Sequence, residues 1–172
     1  MKRRALLVKW CAAAIAASSG LGTTHAATLP IPKDKVVLTV TGKVGAPNQG
    51  QATVFDMAML QKLQQKTFST QTPWDAKPLT FTGPLLREIL AAAQANGTTL
   101  EATALNDYKI VLPLSDANEF DVVVALKING EPIPVRTKGP LFVVYPFDSN
   151  PALKAARYYE RSIWQLKALS VQ

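Results

Sequence analysis

The side chains available for chemistry are defined first by two that most of this 172-residue chain lacks. Its one cysteine is Cys11 and its one histidine is His25. Both fall in a segment that reads as a removable signal. Lys2, Arg3, Arg4 and Lys9 form a basic start, WCAAAIAA is a short apolar run, and Thr24-His25-Ala26 offers the small residues a signal peptidase needs. Cleavage is expected after Ala26, with Ala27 as the second choice, leaving residues 27–172 as the working protein in the periplasm. That protein has no thiol and no imidazole. It can form no disulfide and no Ser–His–Asp triad, it has no Cys or His nucleophile or base, and it cannot build Zn, Cu or haem sites on those ligands. Carboxylate-only metal sites stay open, although no run of acids resembles a calcium loop.

What remains is an aromatic stretch. In QTPWDAKPLTFTGPLLREILAAAQANG (71–97), Trp74 stands in a loop between Pro73 and Asp75, followed by a strand-like LTFT and a helix. Gly83 as N-cap, Pro84 as first helical residue and Gly97 as the stop would bound that helix. Leu85, Leu86, Ile89, Leu90 and Ala93 recur at the spacing of one buried face. Such a loop and helix make a wall for a flat ligand. Equally, they make a hairpin leading into a core helix, with Trp74 packed.

The elements that hold this stretch are mostly strands. Val36–Thr41 alternates, Thr53–Phe55 is short and extended, and Asp56 should cap a helix with Met57, Leu60 and Leu63 on one face. Lys66–Gln71 is extended. Thr98–Leu105 and Tyr108–Leu114 flank the turn pair Asn106-Asp107, Ser115–Glu119 is a turn or one helical turn, and Val122–Ile128 is a strand leading to the hairpin signal Asn129-Gly130. Leu141–Tyr145 reads as a central strand buried on both faces. Pro151–Glu160 is irregular or weakly helical, and Ser162–Val171 is a closing strand. The expectation is one α+β domain of many short strands and two main helices.

Charge adds little. The signal holds four of the 19 Lys and Arg and none of the 12 Asp and Glu, so the net charge falls from +7 to +3 on cleavage. Nothing in that balance demands nucleic acid. The apolar run near the start is too short to span a bilayer. Arg3-Arg4-Ala5-Leu6-Leu7 is a weak match to a twin-arginine export signal, from which Val8-Lys9 departs.

The order of motifs resembles a known family. Asn129-Gly130-Glu131-Pro132-Ile133-Pro134, Lys138-Gly139-Pro140, Leu141–Pro146 and Arg161-Ser162-Ile163-Trp164 together resemble the C-terminal half of the sulfite-oxidase-type molybdopterin-binding domain. Phe81–Leu90 resembles that family's segment after its metal-ligand loop. The resemblance spans roughly residues 36–171. It implies a sulfite-oxidase-like fold and a pocket for a pterin. Two departures bear on function. The family binds molybdenum through a Cys in the loop before the helix, and Phe68–Trp74 has none. The family often has a His where this chain has Lys138. The chain is similar to a small exported branch without the Cys, periplasmic pterin-binding proteins that work beside membrane-bound signalling proteins, including those controlling cyclic di-GMP. The resemblance thus implies a metal-free pterin as ligand, a non-enzymatic role and the periplasmic domain of a signalling protein as partner. The other readings are a molybdopterin oxidoreductase subunit holding its cofactor without Cys, and a domain that only makes protein contacts.

A pterin needs a stacking platform, acceptors for its NH edge and donors for its carbonyl. Trp74 and Trp164 are the candidate platforms, with Trp164 also readable as a core residue alternating with Leu166. Asp107 and Asp148 are candidate acceptors, or ordinary turn residues, and Tyr108 and Tyr145 beside them complete the set. Arg136, Lys138 and Arg161 are candidate donors, or solvated charges. Tyr158-Tyr159 could line the mouth or meet a partner.

Overall fold

The alternating, β-branched stretches become strands β1 (Val36–Gly42) and β2 (Thr53–Asp56). Asp56 then starts helix α1 (Met57–Lys62), its carboxylate accepting from the Met59 N–H at 2.8 Å. Strands β3 (Gln65–Thr70) and β4 (Leu79–Pro84) pair antiparallel around the Trp74 loop. Helix α2 (Leu86–Ala92) leads to the hairpin of β5 (Thr99–Ala104) and β6 (Lys109–Pro113). Helix α3 (Ser115–Glu119), β7 (Val123–Ala125), β8 (Lys127–Ile128), β9 (Glu131–Pro132) and β10 (Phe142–Val144) follow. Two 3-10 turns, Phe147–Ser149 and Pro151–Lys154, precede helix α4 (Ala156–Arg161) and strand β11 (Leu166–Val171). This computed structural model describes residues 29–172. The expected signal segment, with Cys11 and His25, lies outside them.

The strands form a five-stranded sheet in the order β2-β1-β11-β5-β6, a four-stranded sheet β3-β4-β8-β9 and the pair β10-β7. Within the five-stranded sheet β11 runs parallel to β1 and antiparallel to β5. Leu38, Val40, Leu100 and Leu169 from that sheet join Ile89 of α2, Phe81 of β4 and Phe142 of β10 in one buried cluster. The fold is α+β, as expected. Among the described residues no helix is long and apolar enough to cross a membrane.

Several local expectations give way to packing. Helix α2 buries Leu85, Leu86, Ile89, Leu90 and Ala93 as its spacing dictates, but its ends differ. Leu85, not Gly83, is its N-cap, and Pro84 ends β4 instead of opening the helix. Gly83 serves close approach: a Cβ there would sit 2.1 Å from the Val124 carbonyl oxygen on β7. The helix ends at Ala92, with Gln94 in the left-handed region at φ 49°. Gly97 instead lies against the Gln172 backbone. Among the described residues two main helices become four short ones: Ser115–Glu119 and Ala156–Arg161 also turn helical, the first burying Asp116 and Ala117 and the second Tyr158. Val122–Ile128 divides between two sheets at Leu126, whose N–H donates to the Thr82 carbonyl. Leu141–Tyr145 is fully buried, yet its strand β10 pairs with β7 alone among named strands and is not central to a large sheet. The closing strand starts at Leu166, not Ser162, because Gln165 adopts φ 53°.

Candidate functional site

That break at Gln165 decides where Trp164 goes. Off the strand, it bridges to Phe142 and turns its ring outward, 38% exposed. Gln165 fixes the adjacent turn: its N–H donates to the Lys138 carbonyl at 2.9 Å and its amide to the Val135 carbonyl at 2.8 Å. Trp164 is therefore held at the surface by backbone geometry, and the reading of it as a strand core residue does not stand.

Trp74 meets it from the β3–β4 loop. The loop is tied from within and from outside. The buried Thr72 hydroxyl donates to Asp75 Oδ2 at 2.7 Å and accepts from the Trp74 N–H at 3.3 Å. Gln71 Nε2 donates to the carbonyls of Thr72 and Asp75. Lys138 Nζ donates to both Asp75 oxygens, at 2.9 and 2.7 Å, and lies 5.9 Å from the ring centres of Phe142 and Trp164. Asp148 accepts from the Gln71 N–H at 2.6 Å and from Lys154 Nζ at 2.8 Å, and its own N–H donates to Thr70. The Trp74 ring so placed meets Trp164 edge to face, centres 5.6 Å apart at 75°, and Tyr159 at 6.2 Å and 77°. Phe142 and Phe147 back it at 6.2 and 6.4 Å.

These rings border a cavity of about 370 Å³, inside the roughly 300–1,000 Å³ range of small-molecule sites. Trp74, Trp164, Tyr159 and Tyr108 supply aromatic walls, Ala104 and Ile163 apolar floor, and Asn106, Glu160 and Ser162 polar groups. Of the nine residues the sequence nominates for binding, Trp74, Tyr108 and Trp164 line this cavity. The other six do not. Asp107 points to solvent and pairs with Lys167 at 2.6 Å. Arg136 is exposed on the 135–138 turn. Lys138 and Asp148 hold the loop. Tyr145 is fully buried and donates to Asp116 Oδ2 at 2.7 Å, and Arg161 donates to the same oxygen at 2.9 Å. Burial, then the Asp116 carboxylate, pushes the Tyr145 hydroxyl far above its ordinary value. Arg161 and Tyr145 are thus pillars inside the fold and not donors in the cavity. Of the tyrosine pair, Tyr159 lines the cavity and Tyr158 is buried. Glu160 and Asn106 went unnominated. Nothing in a short, weakly helical segment indicates which of Tyr159, Glu160 and Arg161 faces inward.

The loop's anchors give it a pH range. Desolvation raises the Asp75 carboxyl, but the Lys138 ammonium and the Thr72 hydroxyl outweigh it and hold the group below its ordinary 3.8. The Lys154 ammonium and the Gln71 N–H hold Asp148 below that value too. A carboxylate lowered by folding contributes stability above its unfolded pKa and loses it as pH falls through the folded one. The loop should therefore stay in place down to about pH 4 and loosen below, seen as a change in tryptophan fluorescence on acid titration. Lys138→Met should shift that change to higher pH, since the Thr72 hydroxyl alone then opposes burial at Asp75.

The family model for the oxidoreductase molybdopterin binding domain matches residues 25–148. No curated protein matches the chain. The matched span ends at Asp148, yet β11 beyond it lies at the centre of the five-stranded sheet, so the remainder is built into the same fold. On a match over most of its length and an α+β architecture that agrees with it, the chain belongs to the oxidoreductase molybdopterin-binding domain family.

Proposed function

We propose that this protein binds a metal-free pterin in the Trp74–Trp164 cavity, in the periplasm and without catalysing a reaction, and passes the state of that ligand to the periplasmic domain of a membrane signalling protein, such as an enzyme of cyclic di-GMP metabolism. The observation that carries the reading is the cavity: two tryptophans and two tyrosines around a space of ligand size, in a family whose domain holds a molybdopterin. Stacking of a flat heterocycle on such rings is worth about 1–3 kcal/mol per ring.

The donor set supports the metal-free form. Residues 29–172 contain no Cys and no His. Among them no group of three or more His, Cys, Asp or Glu is gathered. Asp75 and Asp148, the acids nearest Trp74 in the loop and its anchor, already hold Lys138 and Lys154. Molybdenum is held by soft thiolate ligands in this family, and these side chains do not fit it. The signalling partner and the periplasmic setting rest on the signal-like start of the chain and on the branch it resembles.

The test is to purify the protein from the periplasmic fraction, release bound small molecules for mass spectrometry and measure metals on the same sample. A tetrahydropterin should also quench tryptophan fluorescence on titration. Stoichiometric molybdenum, or no quenching by any pterin, would overturn the reading.

A further inference from the structure

Among the described residues one charged group, Glu160, lines the cavity, and no Lys or Arg does. Every acid near it that the sequence nominates is engaged elsewhere: Asp107 by Lys167, Asp148 by Lys154 and the Gln71 N–H. Asp75 beside Trp74 is engaged by Lys138, and Asp116 behind the wall by Tyr145 and Arg161. Glu160 is exposed, and none of the ion pairs among the described residues includes it. Its neighbours in α4 face different ways, Tyr159 into the cavity and Arg161 to Asp116. The other polar lining groups are partly committed. Ser162 gives its proton to the Tyr158 carbonyl at 2.9 Å, so toward the cavity it can only accept. Asn106 Oδ1 accepts from the Tyr108 N–H at 3.2 Å, which leaves its NH2 to donate.

We infer that Glu160 selects the ligand by its edge: its carboxylate accepts from the ring N–H and the exocyclic NH2 of a 2-amino-4-oxo heterocycle, and the corresponding 2-oxo ring is rejected. This rests on the pterin reading above and adds to it the group that discriminates. A carboxylate facing two N–H donors makes a charge-assisted pair. Facing a carbonyl instead, it sets lone pairs against lone pairs, and a site built for a donor rejects the analogue without one. Asn106 supplies the complementary donor for the ring carbonyl. A free carboxylate costs the empty protein nothing, because water solvates it until the ligand covers it.

Pterin and lumazine test this directly, since they differ in carrying an amino group or an oxygen at C2. Each is titrated, as the oxidised and the tetrahydro ring, into the wild-type chain and into Glu160→Gln, following tryptophan fluorescence. The wild type should bind the pterin on the order of 10- to 100-fold more tightly than the matching lumazine. Glu160→Gln should lose most of that preference, since an amide can accept from one partner and donate to the other. Its melting temperature should stay at the wild-type value, since Glu160 has no ion-pair partner within the fold. Equal wild-type affinities, or a preference unchanged in Glu160→Gln, would overturn the role of Glu160 while the pterin site stands. If neither ring binds in either form, or if tetramethylammonium is captured in their place by the aromatic walls, the pterin reading falls and this inference with it.

Discussion

Replacing Asp116 by alanine is expected to destabilise the protein by about 3–5 kcal/mol, the range for removing one member of a buried charged pair. At the size of this chain that lowers the melting temperature by about 6–20 °C. Asp116 is 4% exposed, and one of its oxygens accepts from both the Tyr145 hydroxyl and the Arg161 guanidinium. Tyr145 is 0% exposed, so its hydroxyl cannot turn to water when the acceptor goes. Arg161 is less trapped and stacks on the Tyr158 ring at 5.4 Å. Arg161→Ala should therefore cost less than Asp116→Ala, and Asp116→Asn should recover part of the loss, because its carbonyl can still accept one of the two bonds. Thermal and chemical unfolding of the three variants check the order. Pterin affinity of the folded fraction should be unchanged in all of them. Lost affinity with intact stability would return Arg161 to the cavity.

Trp74→Ala should weaken both stability and ligand binding, and the two losses should separate on measurement. The ring meets four aromatic neighbours edge to face, each worth about 0.5–1.5 kcal/mol beyond its area. It is also 38% exposed toward the cavity. A loss of about 2–3 kcal/mol in unfolding free energy is expected, below the 3–5 kcal/mol of a fully buried tryptophan. A further loss of about 1–3 kcal/mol in pterin binding is expected from the missing stacking face. Trp74→Phe should keep most of the stability and part of the affinity. A destabilised variant with wild-type affinity would place the ligand against Trp164 and the tyrosines instead.

The sequence could pose packing and stacking as rivals for Trp74 because it does not reveal that one ring can do both. Strand positions, the Asp56 cap and the buried face of α2 were legible, since each follows from local alternation, a capping side chain or 3.6-residue spacing. The roles of Gly83 and Gly97 were not, because each is set by a strand far away in the chain that touches its Cα. The acids failed as binding candidates for a similar reason. Asp107, Asp148 and the overlooked Glu160 look alike in sequence, and only the fold decides which has a lysine in reach. Trp164 was drawn outward by the left-handed Gln165, a conformation that glutamine does not announce.

The position of β11 bears on how the chain comes to be folded. It lies between the β1–β2 ribbon and the β5–β6 ribbon, yet it follows both in sequence by many residues. Until it arrives, the largest sheet is two separate two-stranded ribbons, each marginal alone and each with an open edge. The five-stranded sheet therefore cannot close until nearly the whole chain is available. It makes folding a race between the arrival of one strand and the pairing of bare edges with other chains.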